Sequence, residues 1–76
     1  MPRSPDLTLD QLRTVAVIAR TGSFSAAGRE LGRVQSAVSH AVGRLEDELG
    51  VLLFDRSTRR PTLTNAGKAV VAAAQE

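Results

Sequence analysis

The stretch "RVQSAVSHAVGRLEDELG", residues 33–50, holds no acid before Glu46 and then carries three in a row, Glu46, Asp47 and Glu48. A helix wheel at about 100° per residue separates it into two faces. Ser36, Ser39, His40 and Gly43 fall on one side, at i, i+3, i+4 and i+7. Val38, Val42, Leu45 and Leu49 fall on the other. The apolar stripe needs a core beneath it. The opposite stripe is small and polar, where a purely solvated face favours long charged side chains. Small polar residues suit the close approach of another molecule.

The rest of the chain bounds what that molecule can be. With 76 residues the chain makes one small domain with a modest core. Aromatics are 3% of the sequence, so the core must come from Leu, Val, Ala and Ile with Phe24 and Phe54. No cysteine is present, which excludes a disulfide framework and a thiolate metal site. A single histidine makes a zinc site hard to build, so neither metal nor cofactor is expected. The sequence has no apolar run long enough for a membrane span, and the start "MPRSPDLT" lacks a signal-peptide core. The expectation is a soluble cytoplasmic protein with no membrane partner. The net charge of +2 does not by itself point to nucleic acid, so the positions of the charges must carry that argument. Arginine supplies nearly all the positive charge, with Lys68 the only lysine. Arginine gives planar, bidentate contacts to phosphate and guanine. A GC-rich genome would also enrich Arg and Ala, so the count matters less than the placement.

Residues 1–6 read as a loose arm. Leu9, Leu12, Val15, Ala16 and Ala19 share a helical face, which predicts an amphipathic helix over roughly 8–20 with Gly22 as its stop. Ser25 reads as an N-cap for a short second helix, Ala26 to Leu31, ended by Gly32. The opening stretch follows almost at once. Two short helices parted by a few residues with a glycine predict a helix-turn-helix over about 24–43. The small pair Ala27 and Gly28 fits a close crossing there. Beyond Gly50 the pattern becomes strand-like: "VLLFDR" and "PTLT" flank "STRR", which predicts a β-hairpin over about 51–63 with Arg56, Arg59 and Arg60 in or beside its tip. Three arginines at one tip repel each other unless an anion is near. Thr64 reads as the cap of a last helix, in which Gly67 is a weak spot. That helix meets no stop signal before Glu76, so the chain is expected to be part of a longer protein, cut inside a linker helix.

The arrangement is mostly α: a winged helix-turn-helix of three helices and a short hairpin over 7–64, then the start of a further helix over 65–76. In "GSFSAAGRELG", "QSAVSHAVGRLEDELGVLLFDR" and "RRPTLTNAG" the sequence resembles the DNA-binding domain of LysR-type transcriptional regulators. The likeness covers about residues 7–70. The pieces are weak singly and specific in combination at these separations.

The resemblance implies double-stranded DNA as partner, a palindromic operator, and a bacterial repressor or activator. It also implies a homodimer joined through the trailing helix, and a small-molecule effector bound by a C-terminal domain absent from this sequence. It assigns Gln35, Ser36, Ser39 and His40 to the recognition-helix face that enters the major groove. It assigns Ser25 and the wing arginines Arg56, Arg59 and Arg60 to the DNA backbone or the adjacent minor groove, and Arg33 is expected to join them as a backbone contact. Three positions depart from the family pattern. Val34 stands where Ser or Thr usually caps the recognition helix, Arg33 where an apolar turn residue is usual, and His40 where Arg is common.

The acid pattern fits this reading. The amides and dipole at a helix N-terminus favour phosphate, and carboxylates there would be repelled by DNA. Glu46, Asp47 and Glu48 begin about 15 Å along the axis from Ser36. They are expected to point away from the duplex, held by a partner such as Arg44 or Arg56. A protein-binding winged helix would leave the small polar face and the wing arginines less well explained. An enzyme is disfavoured, since His40 has no evident acid partner.

Overall fold

The computed structural model describes residues 8–57 and 59–74. It is mostly helical: α1 (Leu9–Thr21), α2 (Phe24–Leu31), α3 (Gln35–Leu49), β1 (Phe54–Asp55), β2 (Thr62–Leu63) and α4 (Asn65–Ala74). The two strands pair antiparallel, with Phe54 opposite Leu63 and Asp55 opposite Thr62. The expected arm over residues 1–6, the wing residue Thr58 and the last two residues lie outside the described residues.

Each helix boundary has a local cause. Thr8 caps α1 in a reciprocal box: its hydroxyl accepts the Gln11 amide at 3.0 Å, and the Gln11 side chain accepts the Thr8 amide at 2.9 Å. Helices α1, α2 and α3 each end at a glycine with φ between 70° and 74°, a left-handed conformation that costs a side-chain-bearing residue. Thr64 caps α4 as the sequence leads one to expect, accepting the Gly67 amide at 3.0 Å. The cap of α2 is Ser23, not Ser25. The Ser23 hydroxyl accepts the Ala26 amide at 3.1 Å, and Ser25 lies inside the first turn. The helix must start two residues earlier because Phe24 is packed against the core. Its ring meets Phe54 edge-on at 5.8 Å between centroids.

The core runs through the middle of the helical cluster. Val15, Val17 and Ile18 of α1, Ala27 of α2, and Val38, Val42 and Leu45 of α3 meet Leu53 and Phe54 there. The apolar stripe of α3 is thus buried as its phase predicts, with Leu49 packed on the core's edge. The face expected of α1 is rotated. Leu9 is 85% exposed, whereas Thr14, Val15, Val17 and Ile18 are buried. The reason is that α1 packs against α2, α3 and α4 together, so its buried sector is wider than one stripe. Buried Thr14 needs no outside partner, because its hydroxyl donates to the Asp10 carbonyl at 2.8 Å.

The wing is shorter in regular structure than "VLLFDR" suggests. Only Phe54 and Asp55 pair with β2, while Val51 and Leu52 are exposed at 46% and 66%. Gly67, a weak spot in helix propensity, is also a close contact: a Cβ there would lie 2.2 Å from the Leu53 carbonyl oxygen. Gly28 plays the role expected of it. A Cβ at that position would meet the Arg33 carbonyl oxygen at 2.6 Å, so the helix-turn-helix closes only over a bare backbone.

Candidate nucleic-acid interface

Helix α3 begins at Gln35 with Val34 in the cap position, and no side chain caps it. The amides of its first turn therefore have no side-chain acceptor, and the side chains beside them are open. Gln35, Ser36 and His40 are exposed and Ser39 is half-exposed. The face opposite is the buried stripe of Val38, Val42 and Leu45, so the core fixes which side of α3 is presented.

A cleft of about 620 Å³ lies against this end of α3. Its walls are the α1–α2 turn, the first turn of α2, Gln35, and the wing from Arg59 to Pro61. The cleft brings Ser25, Gln35, Arg59 and Arg60 together, four residues singled out from sequence and spread over three segments. Arg60 reaches the α1–α2 turn, its Nη1 standing 3.9 Å from where a Cβ on Gly22 would be. Ser25 accepts a hydrogen bond from Arg29 at 3.2 Å, which sets an arginine beside the start of α2. The walls are cationic and polar. Among the described residues no acidic side chain lines them.

Two of the expected backbone contacts are engaged within the protein. Arg33 donates to both carboxylate oxygens of Asp10, at 2.9 and 3.1 Å, and so ties the helix-turn-helix loop to the first turn of α1. Arg56 lies over the Phe24 ring, with its guanidinium carbon 4.6 Å from the centroid, and its Nη2 is 3.8 Å from Glu46 Oε1. Arg59 is exposed at the wing.

The acid run divides. Asp47 and Glu48 are exposed, but Glu46 is buried. Its Oε2 accepts the Leu53 and Phe54 amides at 2.7 and 3.2 Å. Glu46 is thus held by the fold itself, and of the two expected partners Arg56 is the one near it among the described residues. Sequence reasoning missed this role, although the signal was present. Glu46 stands one turn after Val42 and between Leu45 and Leu49, in phase with the apolar stripe. Asp55 is a second missed element. It accepts the Ser57 hydroxyl at 2.6 Å and the Ser57 amide at 2.9 Å, which shapes the turn leading into the wing tip. These two hydrogen bonds, the hydroxyl's first, hold the Asp55 carboxyl below its usual 3.8.

Among the described residues no cluster of His, Asp and Glu fits a metal ion, and no helix is long and apolar enough to cross a membrane.

Comparison with known proteins places this geometry. Residues 9–68 match the family of bacterial regulatory helix-turn-helix proteins of the lysR family. The chain is 52% identical over 68 residues to the probable HTH-type transcriptional regulator YhaJ of Escherichia coli, covering 90% of this chain and 23% of YhaJ. It is 48% identical over 62 residues to the E. coli regulator DsdC, covering 82% of this chain and 20% of DsdC. The chain thus spans about a quarter or less of the length of these relatives. Among solved structures, a Corynebacterium glutamicum OxyR variant superposes with a TM-score of 0.85 at 38% identity, over 96% of this chain and 24% of OxyR. The DNA complex of the CbnR DNA-binding domain superposes with a TM-score of 0.83 at 33% identity, over 91% of this chain and 79% of that domain. The chain belongs to the lysR family of bacterial regulatory proteins, as a LysR-type winged helix-turn-helix DNA-binding domain.

Proposed function

We propose that the domain reads double-stranded DNA by sequence, with the N-terminal half of α3 in the major groove and the wing on the backbone or the adjacent minor groove. One observation carries this reading. A cationic cleft joins Ser25, Gln35, Arg59 and Arg60 beside an α3 face whose polar side chains have no partner among the described residues. Gln35 can pair bidentately with adenine, Ser36 and Ser39 can donate to or accept from base edges, and His40 can do the same farther along the groove. Arg59 and Arg60 supply charge for phosphate or for a narrow A·T-rich minor groove. Ser25 and Arg29 stand at the edge of the cleft, where they bond phosphate. Arg33 joins them only by leaving Asp10.

Regulation of transcription in a bacterial cell goes with this reading, as does pairing of two copies through α4 on a palindromic site. A small-molecule effector would act through a further domain. The proteins it resembles are named as transcriptional regulators, which supports that assignment.

The test is a selection of duplexes from a randomised library, followed by electrophoretic shift against a scrambled duplex at several salt concentrations. The expected result is one enriched motif, bound more tightly than the scrambled control at every salt level. Binding without an enriched motif would remove the sequence-reading claim. No binding at all would favour a protein-interaction winged helix.

A further inference from the structure

Glu46 occupies a position whose helical phase calls for an apolar residue, so its burial needs a reason. A buried carboxylate is costly unless hydrogen bonds and a countercharge compensate it. The Leu53 and Phe54 amides account for Oε2, since without that oxygen both buried amides would lack an acceptor. They do not account for Oε1, which faces Arg56 at 3.8 Å. The ion pair is loose and its arginine side chain is 44% exposed, so solvent screens it and it adds little to stability. Stacking of an exposed arginine on an aromatic ring adds little more. Stability is therefore a weak reason for Arg56 to be held here.

Its geometry supplies a stronger one. Phe24 opens α2, Glu46 belongs to α3, and Arg56 directly follows β1. The Arg56 guanidinium touches both of the others, and Phe24 in turn meets Phe54 of β1. One node thus joins the three segments that also form the cleft. It lies just past β1, where the chain runs on into the wing. The direction and distance of Arg59 and Arg60 from Gln35 are set by how β1 is held against α3, and Glu46 is the only α3 side chain that hydrogen-bonds β1 among the described residues.

We propose that Glu46 and Arg56 are positioning residues for DNA recognition: with Phe24 they hold the base of the wing against α2 and α3, so that Arg59 and Arg60 reach DNA while α3 lies in the groove. This rests on the reading that the wing touches DNA. Arg56 then acts through the body of the domain rather than as a direct phosphate ligand.

The sign of one substitution separates positioning from plain electrostatics. Glu46→Gln removes a negative charge from the domain and keeps an oxygen for the Leu53 and Phe54 amides. Electrostatics alone makes that variant bind any duplex more tightly. Positioning makes it bind the selected duplex more weakly. Arg56→Met is the companion variant. It keeps the alkyl stem, leaves the buried amide contacts untouched, and gives a decision even where Glu46→Gln folds poorly.

The experiment measures the affinity of the 76-residue chain for a duplex that the unaltered chain selects from a randomised library. Circular dichroism at the binding temperature confirms folding. Glu46→Gln and Arg56→Met are each compared in two backgrounds, the unaltered chain and the Arg59→Ala, Arg60→Ala double variant. The expected result is a loss of roughly fivefold or more from either substitution in the unaltered background. In the double-variant background the expected loss is none, because the wing contacts they position are already gone. Tighter binding by Glu46→Gln, or a loss of equal size in both backgrounds, overturns the positioning role and leaves the wing contact standing. A double variant that binds like the unaltered chain refutes the wing contact itself, and the positioning role falls with it.

Discussion

A Cβ on Gly67 would stand 2.2 Å from the Leu53 carbonyl oxygen and 2.8 Å from Leu63 Cδ2. The first turn of α4 is thus seated directly on the backbone that enters the wing. Two effects oppose each other at this position. Alanine is the better helix former by about 1 kcal/mol. Forcing a methyl group against a fixed carbonyl costs about 1–3 kcal/mol or more, because backbone cannot rotate aside. The clash is the larger effect. Gly67→Ala is expected to lower stability in chemical denaturation by roughly 1–3 kcal/mol. A gain of stability would mean that α4 slides off the wing freely.

Gly43 gives the opposite expectation for the fold. It lies within α3, and a Cβ there would meet nothing within 4 Å. Gly43→Ala is expected to raise stability by about 0.5–1 kcal/mol. The same methyl group projects from the Ser36, Ser39 and His40 face. Affinity for a selected duplex is expected to fall severalfold while the melting temperature rises. A rise in both would place Gly43 clear of the DNA.

The wing turn has an acid-side dependence. Hydrogen bonds from Ser57 hold the Asp55 carboxyl below its usual 3.8. A carboxyl with a depressed folded-state pKa contributes stability that is present above its unfolded value and lost as pH falls through the folded one. Ser57→Ala is expected to move the Asp55 titration, followed by NMR, up toward 3.8 and to leave the wing unchanged at neutral pH. A titration that does not move would mean that the backbone amide alone sets it.

Helix α4 has little surface left for pairing. Val70 and Val71 pack against the domain's own core, which leaves Ala69, Ala72 and Ala73 exposed. Small side chains allow close approach but bury little area. In sedimentation at micromolar concentration the chain is expected to be a monomer or a weak dimer without DNA. A tight dimer would show that another surface pairs the copies.

The phase of α3 was legible because Val38, Val42, Leu45 and Leu49 line one side of it and Ser36, Ser39 and His40 the other. That was enough to place Val38, Val42 and Leu45 inside and Ser36 and His40 outside. The face of α1 was misplaced because that helix is enclosed by three others, and a single-stripe wheel cannot express a wide buried sector. Ser25 read as the cap of α2 where Ser23 is the cap, because local sequence does not separate two serines so close together. The choice between them is made by Phe24, whose ring has to reach Phe54, a contact thirty residues away along the chain. Glu46 was hidden by its neighbours: beside Asp47 and Glu48 it reads as part of a solvated run, although its phase is that of the core. The Arg33–Asp10 tie joins residues 23 positions apart, so no local pattern announces it.

The most direct test of the account is the effect of Gln35→Ala on two kinds of DNA. Gln35 lines the cleft and opens the recognition helix, but it holds no part of the core. Affinity is measured for a selected duplex and for a scrambled one at matched salt. The account expects the variant to lose roughly 1–3 kcal/mol on the selected duplex and almost nothing on the scrambled one. Equal losses on both would mean that Gln35 only grips the backbone. No loss on either would mean that this face of α3 does not read DNA.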